Sequence, residues 1–344
     1  MTVYSISLIE GDGVGPEVSG ASISVLRALR EPFGLEFEIR PAPAGDNCMK
    51  KTGQALPELS VSTIEGSDAC LKGPVGDTAA DVIVRLRQML NLYANIRPSR
   101  TLSHVPSIRP GVDLVIVREN TECLYRGQEF EFDGGVIALR TITRAACERI
   151  AKYAFEVAER RNLSRRVVAV HKSNVLKKSD GLFARVCREV SARHPTISFS
   201  DMLVDSAAMN LIRDPQNFDV IVTTNMYGDI LSDEAAQVVG GLGLAPSANI
   251  GDRFAIFEPV HGAAPDIAGM GTANPVAMIL TTCMMLDWLS VARADRSCAA
   301  AASAIREAVD RSLGMGLTTV DIGGNSTTSE VGAAVAGLIK AGHT

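Results

Sequence analysis

The chain has 344 residues and a net charge of −5 at pH 7, from 34 Lys and Arg against 39 Asp and Glu. A chain of this length exceeds the size at which one hydrophobic core usually keeps growing, so two domains are expected. The acidic balance gives no electrostatic footprint for DNA or RNA, and a nucleic-acid binder is therefore disfavoured.

No segment has the features of a membrane span or a secretory signal. The longest nearly unbroken apolar run, 276–286, is far shorter than the roughly 20 residues that cross a bilayer, and it predicts a buried helix. The first residues lack a basic start followed by an apolar stretch and a cleavage site. The seven cysteines occur singly, without a CxxC pair, which argues against a disulfide frame or a thiolate zinc site. We therefore expect buried free thiols in a cytoplasmic protein that does not bind membranes.

Short β-branched runs alternate with helical patterns along the chain. In chain order, strands are predicted at 5–9, 114–117, 167–170 and 220–222. Helices are predicted from the GDGVGP segment to about Arg30 and from Arg144 to Asn162. This alternation predicts an α/β protein with a largely parallel sheet.

The GDGVGP segment, 11–16, follows a strand and opens a helix. Its glycines do not have the G-x-G-x-x-G spacing, so the signal for a nucleotide loop is weak. A later segment, 257–275, is rich in Gly, Ala and Pro, a composition that favours close approach of backbone to a flat ligand. Its fixed polar side chains are Glu258, His261, Asp266 and Asn274.

Three arginines accompany these elements. Arg87 lies beside an apolar stripe at helical spacing, Arg97 follows that helix, and Arg118 ends a strand. The stripe consists of Val82, Ile83, Leu86, Met89, Leu90 and Tyr93. A guanidinium group suits bidentate contact with a carboxylate, so the three arginines can converge on one carboxylate-bearing substrate. Solvated surface arginines are the alternative.

Polar clusters directly follow three of the predicted strands. They are 118–120, 171–174 and 224–229. In open α/β sheets, ligands bind beyond the carboxyl ends of the strands, so these clusters can face one cleft. Ordinary solvated loops are the alternative.

The segment NMYGDILSDEAA crowds like charges at the predicted start of a helix. Asp229 and Asp233 are four residues apart, which puts their Cβ atoms about 5–6 Å apart on one helix face. Carboxylate oxygens are preferred ligands of Mg²⁺, so both can point at one cation. The alternative is that the helix macrodipole favours acids near its N-terminus. Asp205 is a candidate third ligand, although a lone Asp after an apolar pair is more often a cap.

Together these segments resemble the β-decarboxylating dehydrogenases, the isocitrate/isopropylmalate dehydrogenase family. The resemblance runs from IEGDGVGPEV through VIVRENTECLY, HKSNVL, NMYGDILSDEAA and FEPVHGAAPDIAG to DIGGNSTTSEV, essentially the whole chain. The stretch GDTAADVIVRLRQMLNLYANIRP is most similar to the archaeal type of 3-isopropylmalate dehydrogenase. The resemblance implies two α/β domains around a large mixed sheet, with the active site in the cleft between them. The expected domains are 1–98 with 257–344, and 99–256.

The resemblance implies three sets of functional residues. The arginines that bind the malate carboxylates are Arg87, Arg97 and Arg118. The ligands of Mg²⁺ or Mn²⁺ are Asp205, Asp229 and Asp233. The catalytic acid and base are Tyr125 and Lys172. In this family the positions of Lys172 and Asp205 serve the neighbouring subunit's site, which implies a homodimer that can pair into a tetramer.

The resemblance also implies NAD as the cofactor. Asp266 and Ile267 match the pair where NAD-type members carry Asp and NADP-type members carry basic or aromatic residues. A carboxylate there accepts ribose hydroxyls and repels a 2′-phosphate by about 1 to 4 kcal/mol at ~4 Å. The complete set of expected cofactor residues is Asn225, Glu258, His261, Gly262, Ala263, Ala264, Asp266, Ile267 and Asn274.

Substrate choice in the family lies on the helix before Arg87. Isocitrate enzymes place Ser and Asn there to hold a third carboxylate, whereas this chain has Asp81, Ile83 and Val84. These residues favour an isopropyl or methyl group, which implies oxidative decarboxylation of 3-isopropylmalate to 4-methyl-2-oxopentanoate and CO₂ in leucine biosynthesis. The alternative is that Asp81 caps the helix and Ile83 is an ordinary core residue.

Two departures from the family pattern and two alternative functions remain. Cys123 replaces a usual Gly before Tyr125, which leaves that loop's conformation open, and Ala263 replaces a usual Ser. One alternative is a sibling enzyme for homoisocitrate, methylmalate, isocitrate, tartrate or D-malate. The other is a non-catalytic regulatory subunit, which the retained tyrosine, lysine and aspartates disfavour.

Overall fold

The computed structural model describes residues 2–342. Its strands are β1 (Thr2–Ile9), β2 (Leu35–Pro41), β3 (Ala69–Lys72), β4 (Ala94–Arg100), β5 (Asp113–Glu119), β6 (Glu129–Phe132), β7 (Gly135–Ala138), β8 (Arg166–His171), β9 (Ser198–Leu203), β10 (Val220–Thr223), β11 (Pro246–Ile250) and β12 (Ala255–Pro259). The strands predicted from β-branched runs correspond to β1, β5, β8 and β10.

The helices surround these strands. They are α1 (Gly15–Ala28), α2 (Arg30–Phe33), α3 (Asp46–Thr52), α4 (Glu58–Glu65), α5 (Arg85–Met89), α6 (Arg144–Arg161), α7 (Ser179–Ser191), α8 (Val204–Arg213), α9 (Asn225–Val239), α10 (Val276–Ala292), α11 (Arg296–Gly314) and α12 (Thr328–Ala341). A π-helical turn, Ala80–Val84, leads into α5. Single 3₁₀ turns are Leu124–Arg126, Pro215–Asn217, Leu242–Leu244, Pro265–Ile267 and Val320–Ile322.

Ten strands form one mixed sheet in the order β2-β1-β3-β12-β11-β4-β5-β10-β8-β9. The four strands from β2 to β12 are mutually parallel, and so are the four from β5 to β9. Between them, β11 is antiparallel to β12 and β4, and β4 is antiparallel to β5. The two parallel flanks therefore run in opposite directions. The expected parallel sheet is confirmed within each flank, and the sheet as a whole is mixed, as the family resemblance implied.

The two faces of the sheet are packed differently. On one face a continuous hydrophobic core joins both flanks, with Phe155 of α6 and Ile279 of α10 in the same cluster. On the other face the apolar residues form two separate clusters, one around Ile64 and Leu86 and one around Leu231. In the central strands the residues of this second face are polar, for example Asn95, Arg97 and Asn249. A polar cleft thus lies between two apolar clusters at the middle of the sheet.

Several expectations about packing can be compared with this fold. The apolar run 276–286 lies in α10 and is largely buried, as predicted. All seven cysteines are buried and carry free thiols. Within residues 2–342, no helix combines the length and apolarity needed to cross a bilayer. The expected domain boundaries at 98 and 257 fall within β4 and β12, next to the antiparallel centre of the sheet.

Candidate active site

Strands β5, β10 and β8 are adjacent and parallel, so their carboxyl ends meet at one edge of the sheet. At that edge Asn225, the first residue of α9, accepts hydrogen bonds through its Oδ1 from Arg118 Nε (3.0 Å) and Nη2 (2.7 Å). Arg118, His171 and Asn225 are all buried. The alternative of ordinary solvated loops is therefore wrong for these residues.

The three predicted arginines converge at the cleft. Their side chains are only 6%, 9% and 1% exposed for Arg87, Arg97 and Arg118. Burial, followed by repulsion from Arg97 and Arg87, lowers the pKa of Arg118 to about 9, which leaves it charged at neutral pH. Three guanidinium groups thus share one buried environment, and the surface alternative is wrong.

Asp229 and Asp233 do point at one object, as their spacing predicted. In the isolated chain that object is the Nη1 atom of Arg97, which lies 3.2 Å from Asp229 Oδ1 and 3.1 Å from Asp233 Oδ1. Arg118 also forms an ion pair with Asp229. No acidic residue lies in the first turn of α9, so the macrodipole, which acts within that turn, does not explain the two aspartates.

Tyr125 completes this cluster. Its hydroxyl donates a hydrogen bond to Asp229 Oδ2, and its ring lies under the guanidinium of Arg118 at 4.9 Å. Burial is the main cause that raises the pKa of Tyr125. The phenol therefore keeps its proton at neutral pH, as a general acid must.

Lys172 and Asp205 lie in a separate group. Lys172 Nζ is 3.0 Å from Asp205 Oδ1, with the two side chains 27% and 60% exposed. The hydrogen bond from Lys172 lowers the pKa of Asp205. Among residues 2–342, no three His, Cys, Asp or Glu side chains are close enough to hold a metal ion. One chain thus gathers two of the three expected ligands, and Asp205 is not beside them.

Behind the arginines lies a buried polar network that sequence reasoning missed. Glu258 accepts from Lys72 Nζ (2.7 Å), Arg87 Nη2 (3.1 Å) and Asn249 Nδ2 (2.8 Å). Asn249 Oδ1 in turn accepts from Arg87 Nε (2.9 Å) and Asn95 Nδ2 (3.0 Å). A period-two pattern was available as a signal, because the polar residues of β4 and β11 alternate with Ala and Ile.

The expected cofactor segment contacts the GDGVGP loop. The backbone N–H of Val14 donates to Ala263 O at 2.9 Å, and a Cβ on Gly13 would lie 1.9 Å from the same oxygen. His261 Nε2 is shielded from solvent without a hydrogen-bond partner in residues 2–342. Burial lowers the pKa of His261, so its ring is neutral. An orphaned polar atom of this kind fits a ligand that supplies the partner.

The other expected cofactor residues differ in their surroundings. Gly262 and Asp266 are exposed, and Ala263, Ala264 and Ile267 are partly buried. The amide of Asn274 is already engaged, since it donates to Asp321 and accepts from the N–H of Val276.

The segment expected to select the substrate is a π-helical turn rather than a regular helix. Ile83 is packed with Val82 and Leu86 in an apolar cluster, whereas Val84 is only partly buried. Asp81 is exposed in the first turn of this segment. The predicted apolar stripe is wrong at Met89, the last residue of α5, which is 45% exposed.

Comparisons with known proteins give a consistent result. The family model described as isocitrate/isopropylmalate dehydrogenase matches residues 5–335. The 3-isopropylmalate dehydrogenase of Archaeoglobus fulgidus is 52% identical, over 97% of this chain and 99% of its own. The isocitrate/homoisocitrate dehydrogenase of Thermus thermophilus is 47% identical, over 98% and 99%. The crystal structure of isocitrate dehydrogenase from Methylococcus capsulatus superposes with a TM-score of 0.91 at 39% identity, covering 98% of this chain and 99% of that one.

The Glu258 network generates a prediction about stability. Glu258→Gln leaves Lys72 and Arg87 buried without their carboxylate, so the free energy of unfolding should fall by about 3–5 kcal/mol near pH 7. Burial raises the pKa of Glu258, but Lys72 and Arg87 outweigh it and hold that pKa well below its usual range. A carboxylate whose pKa is lower in the folded state stabilises the fold at pH values above its unfolded-state pKa. This stabilisation is lost as the pH falls from there towards the folded-state pKa. The difference in the free energy of unfolding between the wild type and Glu258→Gln should therefore decrease by about 2 kcal/mol between pH 7 and pH 3.

Urea denaturation at both pH values measures this difference. Glu58→Gln is the matched control, because it removes an 80% exposed carboxylate whose ion pair with Arg85 is at the surface, and its effect should stay below about 1 kcal/mol. Equal stabilities of the Glu258 variant and the wild type would contradict the assigned charge balance.

Proposed function

The chain belongs to the isocitrate/isopropylmalate dehydrogenase family, and from that premise we propose that it is an NAD- and metal-dependent 3-isopropylmalate dehydrogenase of leucine biosynthesis. The observation that carries the proposal is the cluster in which buried Arg97 and Arg118 contact Asp229 and Asp233 beside a protonated tyrosine. Buried Arg87, held by Glu258, lies close enough to repel Arg118. A malate with two carboxylates and a hydroxyl matches that set of charges.

Two arginine nitrogens support carboxylate binding. Among residues 2–342, Arg87 uses Nε and Nη2 and Arg97 uses Nε and Nη1 for hydrogen bonds, which leaves Nη1 of Arg87 and Nη2 of Arg97 without partners. Neither nitrogen is among the fully shielded unpartnered atoms of residues 2–342, so both remain open to an incoming carboxylate oxygen, with which a guanidinium N–H forms a strong charge-assisted hydrogen bond.

The chemistry assigns one task to each residue. Lys172 of a second copy, as the neutral amine, would accept the proton of the C2 hydroxyl. NAD⁺, when bound, would supply the hydride acceptor for C2. After CO₂ is lost, Tyr125 donates the proton of its hydroxyl to the substrate carbon from which the CO₂ departed. Asp229 and Asp233, with Asp205 of that second copy, would hold Mg²⁺ or Mn²⁺, which supplies Lewis-acid polarisation of a substrate oxygen. The carboxylate oxygens present suit these hard cations.

Substrate choice within the family rests on the π-helical turn. With Ile83 packed in the core, the partly buried Val84 is the aliphatic side chain that we assign to the substrate's alkyl group. Discrimination by a methylene is only about 1–3 kcal/mol, so related alkylmalates should also be oxidised. The 47% identity to an isocitrate/homoisocitrate dehydrogenase keeps that activity as the second candidate.

A substrate panel tests the proposal. With NAD⁺ and Mg²⁺ or Mn²⁺, kcat/KM should be highest for 3-isopropylmalate among isopropylmalate, methylmalate, homoisocitrate, isocitrate, tartrate and D-malate, read as NADH absorbance. A preference for homoisocitrate or isocitrate would favour the sibling enzyme. Absence of NADH with every acid would favour the regulatory subunit.

Nucleotide choice gives a second prediction. Asp266 is exposed in its 3₁₀ turn, and Asp266→Lys replaces repulsion of a 2′-phosphate by attraction. The repulsion removed is about 1–4 kcal/mol, so the ratio of kcat/KM for NAD⁺ over NADP⁺ should fall about fivefold to several hundredfold. Asp310→Lys on α11 makes the same charge change elsewhere and should leave the ratio unaltered. An unchanged ratio in the Asp266 variant would refute its assigned role.

The surface supports the proposed homodimer. Met209 and Ile212 of α8 and Ile230 of α9 are 67%, 51% and 60% exposed. The β6–β7 hairpin adds further exposed apolar side chains, which are Phe130, Phe132, Val136 and Ile137. Large exposed apolar surface marks sites of protein association. These elements flank Asp205 and Tyr125, so a second copy on this surface would bring its residues to the site.

Mixed dimers test whether sites are shared. We expect Lys172→Met and Tyr125→Phe homodimers each to be nearly inactive. In a mixed dimer, one site combines the intact tyrosine of one chain with the intact lysine of the other. With random pairing half of the dimers are mixed and each has one working site, so about one quarter of wild-type activity should return. No recovery after chain exchange, verified by differently tagged chains, would place both residues in one chain's site.

A further inference from the structure

We propose that Arg140 and Asp180 form a positioning pair that holds three functional segments at fixed distances: the Tyr125 loop, the Lys172 loop and the start of α9. This inference rests on the proposed function, since it assigns a further role in the same reaction. Neither residue touches the arginine and aspartate cluster. Both act through the backbone and through neighbouring side chains.

Arg140 lies in the short segment between β7 and α6, and its guanidinium contacts several chain segments. Nε donates to Cys123 Sγ at 3.2 Å, and Nη2 donates to Thr224 Oγ1 at 3.0 Å. Nη1 forms an ion pair with Asp180. The guanidinium carbon also lies 5.1 Å from the centre of the Tyr227 ring. A planar group with five donors can satisfy such divergent partners, whereas an ammonium group cannot.

Asp180 extends this contact to Lys172. Its side chain is fully buried, and its Oδ2 accepts the backbone N–H of Lys172 at 2.6 Å. The carboxylate therefore fixes the backbone from which the lysine side chain departs. Since Arg140 balances the buried charge of Asp180, the position of Lys172 depends on both residues.

Cys123 explains why the Tyr125 loop needs a fixed support. Its backbone has φ 69° and ψ −150°, a region that glycine adopts readily and other residues rarely do. Its N–H donates to Thr141 O at 2.9 Å, and its thiol is fully buried against Arg140. The unusual conformation lies two residues before Tyr125, so it sets the direction of the backbone that carries the tyrosine hydroxyl. Where the family pattern expects Gly, this chain has a cysteine in a glycine-type conformation, and the cysteine adds a contact with Arg140.

The third contact concerns the aspartates. Thr224 is the N-cap residue of α9, and Tyr227 lies in its first turn. Asp229 and Asp233 follow on the same helix. A displacement of about 1 Å between reacting groups can lower a rate about a hundredfold. One side chain that contacts all three segments can therefore control the positions of Tyr125 and the aspartates in this chain's own site and, through Asp180, the position of Lys172 in the site that it would complete on the second copy.

The decisive variant removes both charges together. Arg140→Met combined with Asp180→Asn avoids leaving a buried charge unpaired. The matched control is Arg161→Met with Asp219→Asn, because Arg161 Nε is 2.9 Å from Asp219 Oδ1 and the Asp219 side chain is 2% exposed. Asp219 also accepts a backbone N–H, that of Arg166, at 3.3 Å. That pair lies at the opposite end of β8 and β10.

The kinetic expectation separates positioning from substrate binding. The Arg140/Asp180 variant should lose about a hundredfold in kcat, with KM for the best acid of the panel changed less than about threefold, because the three carboxylate-binding arginines are untouched. The control pair should keep kcat within about threefold at a comparable loss of thermal stability. An unchanged kcat in the folded Arg140/Asp180 variant, or an equal loss in the control, overturns the proposal.

Two further measurements keep the proposal testable if activity or folding fails. Hydrogen exchange at residues 120–126 and 171–176 should quicken in the Arg140/Asp180 variant and not in the control. Unchanged hydrogen exchange overturns the positioning role, whether or not the wild type is active. If the wild type oxidises none of the acids, that result refutes only the proposed function. If the double variant fails to fold, Arg140→Lys tests the proposal instead. A lysine keeps the positive charge but cannot contact Cys123, Thr224 and Asp180 at the same time. The kcat of this variant should fall and its exchange rise, and wild-type values of both overturn the proposal.

Discussion

Charge balance within a buried cleft is the constraint on which the rest of the structure depends. Lys72, Arg87, Arg97 and Arg118 carry four positive charges, and Glu258, Asp229 and Asp233 carry three negative ones, so one net positive charge remains in contact distance of the cleft. The buried cations could not stand there unpaired, because an isolated buried ion is strongly destabilising; Glu258 pairs with two of them inside the protein, and the partly exposed Asp229 and Asp233 pair with the others at its edge. The crowded acids and the converging arginines therefore explain each other, and the remaining positive charge suits an anionic ligand.

The topology makes room for this balance. A single core on one face ties the two parallel flanks together, while the two apolar clusters on the other face stop short of each other. The antiparallel strands at the centre present Asn and Arg to the gap between those clusters. Polar groups at the middle of a ten-stranded sheet would otherwise be unfavourable, and here each is hydrogen-bonded to the next.

The sequence predicted the parts of this arrangement that depend on local pattern. Hydrophobic runs located β5, β8, β10 and α6, and the rule that ligands bind at strand ends brought Arg118 and Asn225 together. The four-residue spacing of Asp229 and Asp233 also predicted that both point at one object; in the isolated chain that object is Arg97, and the expected cation stays a prediction. What it missed depends on neighbours distant in the chain. The roles of Asn95 and Asn249 become visible only when β4 and β11 pair, and no local rule gave the π turn before α5 or the exposure of Met89. The separation of Lys172 from Tyr125 within one chain followed only from the family resemblance.

The hairpin of β6 and β7 has a consequence for how the molecule behaves when diluted. More than half of the surface of each of its apolar side chains Phe130, Phe132, Val136 and Ile137 is exposed. If a second copy covers them, the free energy of folding includes a contribution that scales with the logarithm of protein concentration. Lowering the protein concentration alone, with no change in solvent or sequence, would then lower the melting temperature. Dissociation would also separate Lys172 of one copy from Tyr125 of the other.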